Sequence, residues 1–536
     1  MTDADDATRP IGSPRAGLPP VPGAPRSTGR RGSTSATGAG SRRPRPFAAV
    51  LAWTVANTVV PGTAFLAAGR RRLGAAVLAV FLLLVGAAAW LATRGQRTAL
   101  RIAVDTVQLR WLLAGVVVVA VLWVAVVVFG YRTLMPRPAS RGRHAVGALL
   151  VAALVAAVGY PAYLVGQFAV AQTGLIDAVF AEDRQSATVV DEPDPFGDQE
   201  RVNVLLLGGD GGEGRDGVRT DTVIVASIDT DTGDTVLFSL PRNLEDLPFP
   251  EDSPLHDVYP DGFDAGSESE SLLNAVYRNG PAAYPDILGP TDDPGADFLK
   301  LGVGEALGLD IDYYVLVNLD GFARLVDALG GITVNVNYYV PINGDPGTGE
   351  LPDDYIAPGP DQHMDGRRAL DFARGRFGLT DYDRMDRQRC TIDAIIDEAD
   401  PLTLLQDYQE LASATRDIVS TDIPRSALQD FVELGDRVKD GEVTSVVFDN
   451  TVIDPAYPDY DAMRLIVLAA VSPPAASPGS SAPSTPSTPS TPAGTPPAAG
   501  EQPAAEPIAE IGNACAYDPE QAAAAVAAGE PPSKAG

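Results

Sequence analysis

The chain has 536 residues, of which 45% are hydrophobic and 21% are charged, and its formal net charge is −30. This length allows several domains. A large negative charge repels phosphate polymers at long range, so nucleic-acid binding is excluded as the general function. With 2 cysteines and 3 histidines, the composition also excludes a disulfide-rich scaffold and a four-cysteine zinc site.

The charge is divided unevenly along the chain. Residues 1–176 carry 19 arginines against 4 acids, a net charge of +15, whereas residues 177–536 carry 18 arginines and 3 lysines against 66 acids, a net charge of −45. We therefore expect the two parts to lie in different surroundings.

Residues 1–46 are rich in Arg, Gly, Ser and Pro and contain few large apolar side chains. We expect this tail to be disordered and to stay in the cytoplasm. Residues 47–170 form a predicted transmembrane region with four apolar segments, each long enough to cross a bilayer. These segments are Phe47–Gly69, Ala75–Thr93, Trp111–Tyr131 and Ala145–Gln167.

The first apolar segment is the weakest candidate span. Asn57 and the Pro61-Gly62 pair interrupt it, and such positions need protein or water around them inside a membrane. If it forms a re-entrant or interfacial hairpin, the arginines at 70–72 and 132–143 all lie in the cytoplasm with the tail. We therefore expect a multi-pass cell-membrane protein with three spans, a cytoplasmic N-terminus and an extracytoplasmic acidic domain. Four spans would place that domain in the cytoplasm.

After a linker at residues 171–200, residues 201–471 show alternating strand and helix patterns. The predicted strands are Val202–Leu207, Thr222–Asp229, Thr235–Leu240, Tyr313–Asn318, Ile332–Val336 and Thr444–Phe448. The main predicted helices are Ser271–Asn279, Ala296–Leu307, Leu319–Leu329, Arg384–Glu398 and Tyr460–Ala470. We predict an α/β domain with a mixed central sheet flanked by helices, preceded by an α-helical transmembrane region.

The C-terminal part of the chain has two pieces. Residues 472–507 are rich in Ser, Thr, Pro and Ala, which predicts an extended linker. The tail at 508–536 contains Cys515, and a disulfide to Cys390 would tether it to the domain in an oxidising exterior. Two unrelated thiols are an equally weighted alternative.

A glycine-rich loop follows the first predicted strand. Gly209, Gly211 and Gly214 satisfy the G-x-G-x-x-G spacing, but another strand begins near Thr222, where a dinucleotide site requires a helix. Nucleotide binding is therefore disfavoured. Hydrolases with a serine or thiol nucleophile are disfavoured too, because no G-x-S-x-G motif is present and no histidine can be placed beside Cys390.

Two aspartates are predicted to lie at one rim of the sheet. Asp210 belongs to the glycine-rich loop and Asp221 begins the next strand. Carboxylates that converge on one edge bind a hard cation such as Mg²⁺, which in turn reaches phosphate. Loop-capping aspartates are the alternative, since glycine-rich turns commonly use them.

Arginine is concentrated in one short stretch of the acidic part. Seven of its 18 arginines lie within 23 residues: Arg367, Arg368, Arg374, Arg376, Arg384, Arg387 and Arg389. Guanidinium groups bind phosphate oxygens bidentately and keep their charge. The concentration therefore predicts an anion site, with surface salt bridges as the alternative.

The spacing inside this stretch also predicts geometry. Two guanidinium groups project from the same side if Arg374-Gly375-Arg376 is extended, whereas Arg384, Arg387 and Gln388 share one face of a helix. Asp381 stands where the N-cap of that helix is expected.

Nine short blocks then occur in order: Leu205–Asp210, Arg219–Thr222, Ser239–Arg242, Leu273–Tyr277, Asp320–Phe322, Gly330–Ile332, Met364–Leu370, Ala373–Arg376 and Asp381–Gln388. Together they resemble the LytR-CpsA-Psr (LCP) family over about residues 201–400. The resemblance implies a phosphotransferase on the outer face of the membrane. Such proteins move a glycopolymer from a polyprenyl-pyrophosphate carrier to the C6 hydroxyl of N-acetylmuramic acid in peptidoglycan, forming a phosphodiester.

The resemblance also implies roles for individual residues. Asp210 and Asp221 are expected to hold Mg²⁺ or Mn²⁺. The expected pyrophosphate-binding set is Arg219, Arg242, Arg374, Arg376, Asp381, Arg384 and Gln388. The residues expected to act in catalysis are Arg219, Asp221, Arg242, Arg374 and Arg376. The role of Arg387 is open, and Asp383 stands where the family usually has Gly, which adds a negative charge beside the arginines.

The implied substrate has an isoprenoid tail. We expect an apolar groove for it beneath helices such as Phe298–Leu307 and Phe322–Leu329. The expected partners are the lipid-linked glycopolymer, peptidoglycan and the membrane. A pyrophosphatase acting on the same lipid and a non-enzymatic membrane sensor that binds lipid-linked polymer are the alternatives.

Overall fold

The structure is a computed structural model of the chain. It describes residues 46–95, 98, 101–102, 105–135, 140–180, 185–189, 195–197, 199–210, 218–399, 419–472 and 508–534. Residues 1–45 of the predicted tail and 473–507 of the predicted linker lie outside the described residues, as do Gly211 and Gly214 of the glycine-rich loop.

The described part of the membrane region is helical: α1 (Phe47–Val59), α2 (Thr63–Ala67), α3 (Arg71–Thr93), α4 (Thr106–Leu134) and α5 (Arg141–Val179). By length and composition, α3, α4 and α5 are long and apolar enough to cross a membrane. Helix α1 has 13 residues and is too short to do so.

The first apolar segment forms a hairpin, α1–α2, that packs against α4. At its bend, the Asn57 side chain accepts hydrogen bonds from the backbone N–H groups of Gly62 and Ala64 at 3.0 and 3.1 Å. Its amide group donates to the carbonyl of Val126 in α4 at 3.1 Å. The polar residue is therefore satisfied within the protein, as a re-entrant hairpin requires in hydrocarbon.

The two ends of the hairpin lie at a similar position along α4. Val50 in α1 and Ala64 in α2 pack in one cluster with Leu134, the last residue of α4. The segment therefore turns back along α4 instead of continuing across. This geometry agrees with the expectation of three spans.

Helix α5 continues past the predicted boundary at residue 170. Its 39 residues extend to about 58 Å at a rise of about 1.5 Å per residue, well beyond the hydrocarbon core. Ile176 and Val179 at its end are buried. The last turns thus belong structurally to the acidic domain, and the linker predicted from residue 171 begins as helix.

The strands of the acidic part are β1 (Arg201–Gly209), β2 (Thr220–Asp229), β3 (Thr235–Leu240), β4 (Tyr313–Asn318), β5 (Ile332–Val336), β6 (Val340–Ile342), β7 (Asp354–Ile356), β8 (Gly359–Met364), β9 (Val419–Thr421), β10 (Val443–Val447) and β11 (Ile508–Glu510). Seven of them form one sheet in the order β11-β10-β3-β2-β1-β4-β9, and β5–β8 and β6–β7 form two small ribbons. Strand β1 pairs antiparallel with β2 and parallel with β4, so the predicted mixed sheet is confirmed.

The helices of this part are α6 (Pro254–Val258), α7 (Glu268–Ser271), α8 (Leu273–Ala283), α9 (Pro294–Leu307), α10 (Leu319–Ala328), α11 (Gly366–Arg374), α12 (Asp381–Glu398), α13 (Leu428–Asp440), α14 (Tyr460–Val471), α15 (Ile511–Ala514) and α16 (Pro519–Ala528). Successive strand residues face opposite sides of the sheet. Leu205 and Val225 pack in the largest core together with Phe298 of α9. Leu206 and Ile224 face α12 on the other side. Helices therefore flank both faces, as predicted.

The predicted C-terminal tail is part of the domain. Strand β11 pairs antiparallel with β10, and Cys515 forms a disulfide with Cys390 in α12. Ile511 is buried against the sheet face that carries Ile224. Lys534 forms an ion pair with Asp353 at 3.0 Å. The segment 508–534 thus folds back onto the domain.

The membrane region also contacts the acidic domain between α3 and α4. Arg101, in that connection, forms an ion pair of 2.8 Å with Glu433 in α13. The α3–α4 connection therefore lies on the same side of the helices as the domain.

Candidate active site

A cavity of about 360 Å³ lies between α12 and the sheet face that carries Leu206 and Ile224. Its polar lining includes the charged residues Asp210, Asp221, Arg374, Arg376 and Arg384 together with Gln388. Its apolar lining includes Leu206, Ile224, Val315, Phe322, Ile392 and Ile395. The lining changes from apolar to polar toward the end of β1 and from polar to apolar along α12. The cavity therefore suits a ligand with an anionic head and an apolar tail.

Of the two helices expected to cover an apolar groove, one lines the cavity and the other does not. Phe322 and Leu325 of α10 line the cavity. Phe298 of α9 is fully buried in the core on the opposite face of the sheet. The sequence gives both helices an apolar face. Whether a helix lines the cavity depends on which face of the sheet it packs against.

Arg374 and Arg376 enter the cavity from the turn between α11 and α12. Helix α11 ends at Arg374, and Gly375 passes so close to β6 that a Cβ atom there would stand 2.5 Å from the carbonyl oxygen of Pro341. Only glycine fits this approach. The turn thus brings the two guanidinium groups to one cavity, although Arg374 ends a helix and the segment is not extended as the spacing argument assumed.

Arg384 of α12 is 3% exposed. Its guanidinium donates to the Asp381 carboxylate at 3.0 Å and to the carbonyl of Asp221 at 3.1 Å, while its Nε has no partner within the described residues. Burial lowers the pKa of Arg384 to about 10, so the group stays cationic at neutral pH. A cation at the wall of a cavity that is otherwise largely apolar is suited to hold an anion.

Asp221 is held by two donors on one oxygen. Its Oδ1 accepts from Arg242 at 3.0 Å and from Asn274 at 3.1 Å. Burial raises the pKa of Asp221, but the hydrogen bonds from Asn274 and Arg242 and the charge of Arg384 outweigh it, so the pKa lies below the ordinary value. A carboxylate of low pKa is a good cation ligand and a poor proton acceptor.

Asp210 closes the end of β1. Its Oδ1 accepts the backbone N–H of Arg219 at 2.9 Å, and its own N–H donates to the carbonyl of Arg219 at 3.1 Å. Asp210 therefore has the loop-capping role considered as the alternative, and it also lines the cavity with Asp221. No group of three or more His, Cys, Asp or Glu suited to a metal occurs within the part of the chain that the structure describes. Two carboxylates fit Mg²⁺, which usually completes its shell with water and substrate phosphate.

Arg219 and Arg242 are not among the residues that line the cavity. Arg219 forms an ion pair of 2.6 Å with Glu270. Arg242 bridges Asp221 and Asp381 at 3.0 and 3.3 Å. Both arginines therefore orient carboxylates beside the cavity in this structure, which differs from the direct contact with pyrophosphate that the family resemblance implies.

The prediction that Asp381 caps α12 is wrong. Thr380 is the N-cap, and its hydroxyl accepts the N–H of Asp383 at 3.1 Å. The Asp383 carboxylate accepts the N–H of Thr380 at 2.7 Å, which completes a capping box. This contact gives Asp383 a local role at the helix start. Asp381 begins the helix and pairs with Arg384 instead.

The seven clustered arginines separate in the structure. Arg387, predicted on one helix face with Arg384 and Gln388, does not line the cavity and is 4% exposed beneath the Arg-Gly-Arg turn. Arg389 pairs with Asp386 at 3.1 Å. Three of the seven, Arg374, Arg376 and Arg384, line the cavity.

Two residues beside the site had no role in the sequence analysis. Asn274 holds Asp221, and Glu270 holds Arg219. A signal exists for Asn274, which stands between the apolar residues Leu273 and Ala275 and is buried with them. Buried amides are usually hydrogen-bonded. Nothing in the sequence distinguishes Glu270 among 66 acids.

Residues 169–458 match the LytR_cpsA_psr family. The chain belongs to this family. Among curated relatives, it is 31% identical over 232 residues to the polyisoprenyl-teichoic acid–peptidoglycan teichoic acid transferase TagU of Enterococcus faecalis, covering 42% of this chain and 62% of the relative. It is 27% identical over 269 residues to biofilm regulatory protein A of Streptococcus mutans, covering 49% of this chain and 60% of the relative. The chain thus spans about three fifths of the length of these LytR_cpsA_psr relatives.

Two solved structures are similar to part of this chain. The B. subtilis TagV structure shares 23% identity with a TM-score of 0.35, covering 51% of this chain and 97% of that chain. The structure of protein gbs0355 from Streptococcus agalactiae shares 24% identity with a TM-score of 0.36, covering 46% of this chain and 77% of that chain.

Proposed function

We propose that the protein is a membrane-anchored phosphotransferase. It transfers a glycopolymer from a polyprenyl-pyrophosphate carrier to the C6 hydroxyl of N-acetylmuramic acid in peptidoglycan and forms a phosphodiester. The observation that carries this proposal is the single cavity in which three arginines adjoin a long apolar wall. Relatives named as teichoic acid transferases support the same class of reaction.

The chain's own residues bind and orient the donor. Arg374, Arg376 and Arg384 neutralise the pyrophosphate, and Gln388 contributes an amide beside them. The apolar wall from Leu206 to Ile395 accepts the first isoprene units. Phosphoryl transfer needs positioning and charge neutralisation more than a protein nucleophile.

In the proposed reaction, the sugar hydroxyl oxygen bonds to the phosphorus that carries the glycopolymer. The bond from that phosphorus to the bridging oxygen breaks, polyprenyl phosphate leaves, and the hydroxyl proton passes to solvent. The low pKa of Asp221 argues against it as the proton acceptor. Mg²⁺ or Mn²⁺, when held by Asp210 and Asp221, supplies charge that stabilises the leaving phosphate.

The proposed location is the cell membrane, with the N-terminus in the cytoplasm and the catalytic domain outside. Three candidate spans and a hairpin that turns back support this arrangement. The ion pair between Arg101 and Glu433 supports it as well, because an α3–α4 connection outside the membrane is what three spans from a cytoplasmic start require. The arginines at 70–72 then lie inside.

The test uses the full chain in detergent with a polyprenyl-pyrophosphate-linked oligosaccharide, Mg²⁺ and peptidoglycan fragments. We expect oligosaccharide joined to peptidoglycan through a phosphodiester, together with polyprenyl phosphate. Hydrolysed donor without ligated polymer would identify a pyrophosphatase instead. Donor binding without turnover would identify a sensor.

A further inference from the structure

Arg387 lies in a network directly behind the arginines of the cavity. Its Nε donates to the carbonyl of Phe372 at 2.7 Å, and one terminal nitrogen donates to the carbonyl of Gly375. The other terminal nitrogen donates to the hydroxyl of Tyr338 at 2.8 Å, and the guanidinium carbon lies 5.7 Å from the centre of that ring. All three nitrogens of Arg387 are therefore used within the protein.

The acceptors of Arg387 explain why this network matters. The last four carbonyl groups of a helix have no intrahelical partner. Phe372 belongs to the last turn of α11, and Gly375 is the residue after that helix. Arg387 thus satisfies the end of α11 with a cation, the charge that a helix C-terminus favours.

The same contacts fix the turn that carries Arg374 and Arg376. Gly375 stands between these two arginines, with β6 against its Cα and Arg387 against its carbonyl oxygen. The peptide between them is therefore held from two sides. Arg387 itself is 4% exposed and does not line the cavity.

We propose that Arg387 is a positioning residue for phosphoryl transfer, acting through the backbone of residues 372–375 to aim Arg374 and Arg376 at the pyrophosphate. This inference rests on the proposed function for its ligand. A planar guanidinium presents several donors at fixed angles, whereas the ammonium of lysine is a single point of charge. Arg387→Lys keeps the positive charge but loses the planar group whose nitrogens bond the carbonyls of Phe372 and Gly375.

The test measures binding of farnesyl pyrophosphate to the full chain in detergent with Mg²⁺ by calorimetry. We expect Arg387→Lys to weaken binding by at least about fivefold, which corresponds to about 1 kcal/mol. In an Arg374→Ala/Arg376→Ala background, the same substitution should change binding less than about twofold, because the groups it positions are gone.

Arg389→Lys is the matched control. Arg389 is on the same helix and pairs with Asp386 and the Ser445 hydroxyl, away from the turn, so its substitution should leave binding within about twofold. If Arg387→Lys fails to fold in thermal unfolding, Tyr338→Phe carries the test, since it removes one acceptor of the same guanidinium. The smaller loss of binding expected for Tyr338→Phe should also disappear in the Arg374→Ala/Arg376→Ala background.

The outcomes separate the two proposals. Equal losses in both backgrounds would overturn the positioning role, because a loss that does not depend on Arg374 and Arg376 is general destabilisation. Unchanged binding for Arg387→Lys would overturn it as well. Background-dependent binding loss in a protein that hydrolyses donor without ligating it would support the positioning role and reject the transferase. Absence of binding by the unaltered protein would overturn both.

Discussion

Two groups of arginines lie in different surroundings. We call Arg374, Arg376 and Arg384 the cavity arginines. We call Arg219, Arg242 and Arg387 the supporting arginines. Each supporting arginine is bound to a carboxylate or a carbonyl of the protein. Arg384 is likewise paired with Asp381, but it lines the cavity and the supporting arginines do not. In residues 177–536, which carry a net charge of −45, arginines such as Arg219, Arg242 and Arg389 are paired with nearby acids. Clustering in the sequence therefore does not by itself show which arginines line the cavity, since that depends on where each one lies on the α11–α12 turn and on α12.

The sharpest test of this comparison removes a cavity arginine. Arg374→Ala or Arg376→Ala should cost about 2–4 kcal/mol of transition-state stabilisation, because these groups face charge that develops during transfer. The measurement is kcat/KM for ligation, with thermal unfolding as the control for folding. Unchanged turnover in both variants would contradict the site.

The second test removes a residue that supports the metal carboxylate. Asn274→Ala deletes one of the two donors on Asp221. Loss of a residue that orients a metal ligand typically costs about 10- to 100-fold in metal affinity. We therefore expect the Mg²⁺ concentration for half-maximal activity to rise by that factor, while activity at saturating Mg²⁺ recovers. Activity that does not depend on Mg²⁺ in either protein would reject the metal role of Asp221.

The third test uses the depressed pKa of Asp221. Because its hydrogen bonds favour the ionised form, its contribution to folding and to cation binding is present above the ordinary carboxyl pKa and is lost as pH falls through the lowered value. Mg²⁺-dependent farnesyl pyrophosphate binding should therefore persist to below about pH 4. In Asn274→Ala, the acid limit of binding should move to higher pH. An identical acid limit in both proteins would show that another group controls it.

The smallest effect is expected at the exposed edge of the arginine stretch. The Arg367 side chain is 72% exposed and pairs with Asp371 at 3.6 Å, a contact of the kind worth about 0.3–0.5 kcal/mol. Arg367→Ala should change ligation less than about threefold and thermal stability only slightly. A loss as large as that of Arg374→Ala would mean that the cluster acts as one unit, and the division into two groups would fail.

Local sequence patterns were sufficient to predict most helices and strands of the fold. The strand Thr235–Leu240 has the predicted bounds. Helix α10 ends at Ala328, one residue before its predicted end, and Gly330 and Gly331, with φ of 86° and 100°, follow it. Helix α12 begins three residues earlier than expected, because the capping box of Thr380 and Asp383 starts it. Caps depend on side-chain geometry over a few residues, and several polar residues compete for the same position.

Contacts between residues far apart in the sequence could not be predicted from such local patterns. The tail at 508–534 adds an edge strand to the sheet, and its short apolar runs carry no signal for that partner. The groove prediction failed for α9 because an amphipathic pattern shows that a helix has a buried face but not which side of the sheet it covers. Asp221 was found by its motif, whereas Glu270 required its position beside Arg219.

By itself, the sequence determined the apolar helices, the mixed α/β domain and the stretch of chain in which arginine is concentrated. These features depend on composition, periodicity and ordered motifs, which are local. The tertiary structure decided that the first apolar segment turns back, that Cys390 and Cys515 are joined, and that three of seven clustered arginines line the cavity. Those outcomes depend on which groups meet in space, because a guanidinium is directed by the acceptors around it and not by its place along the chain.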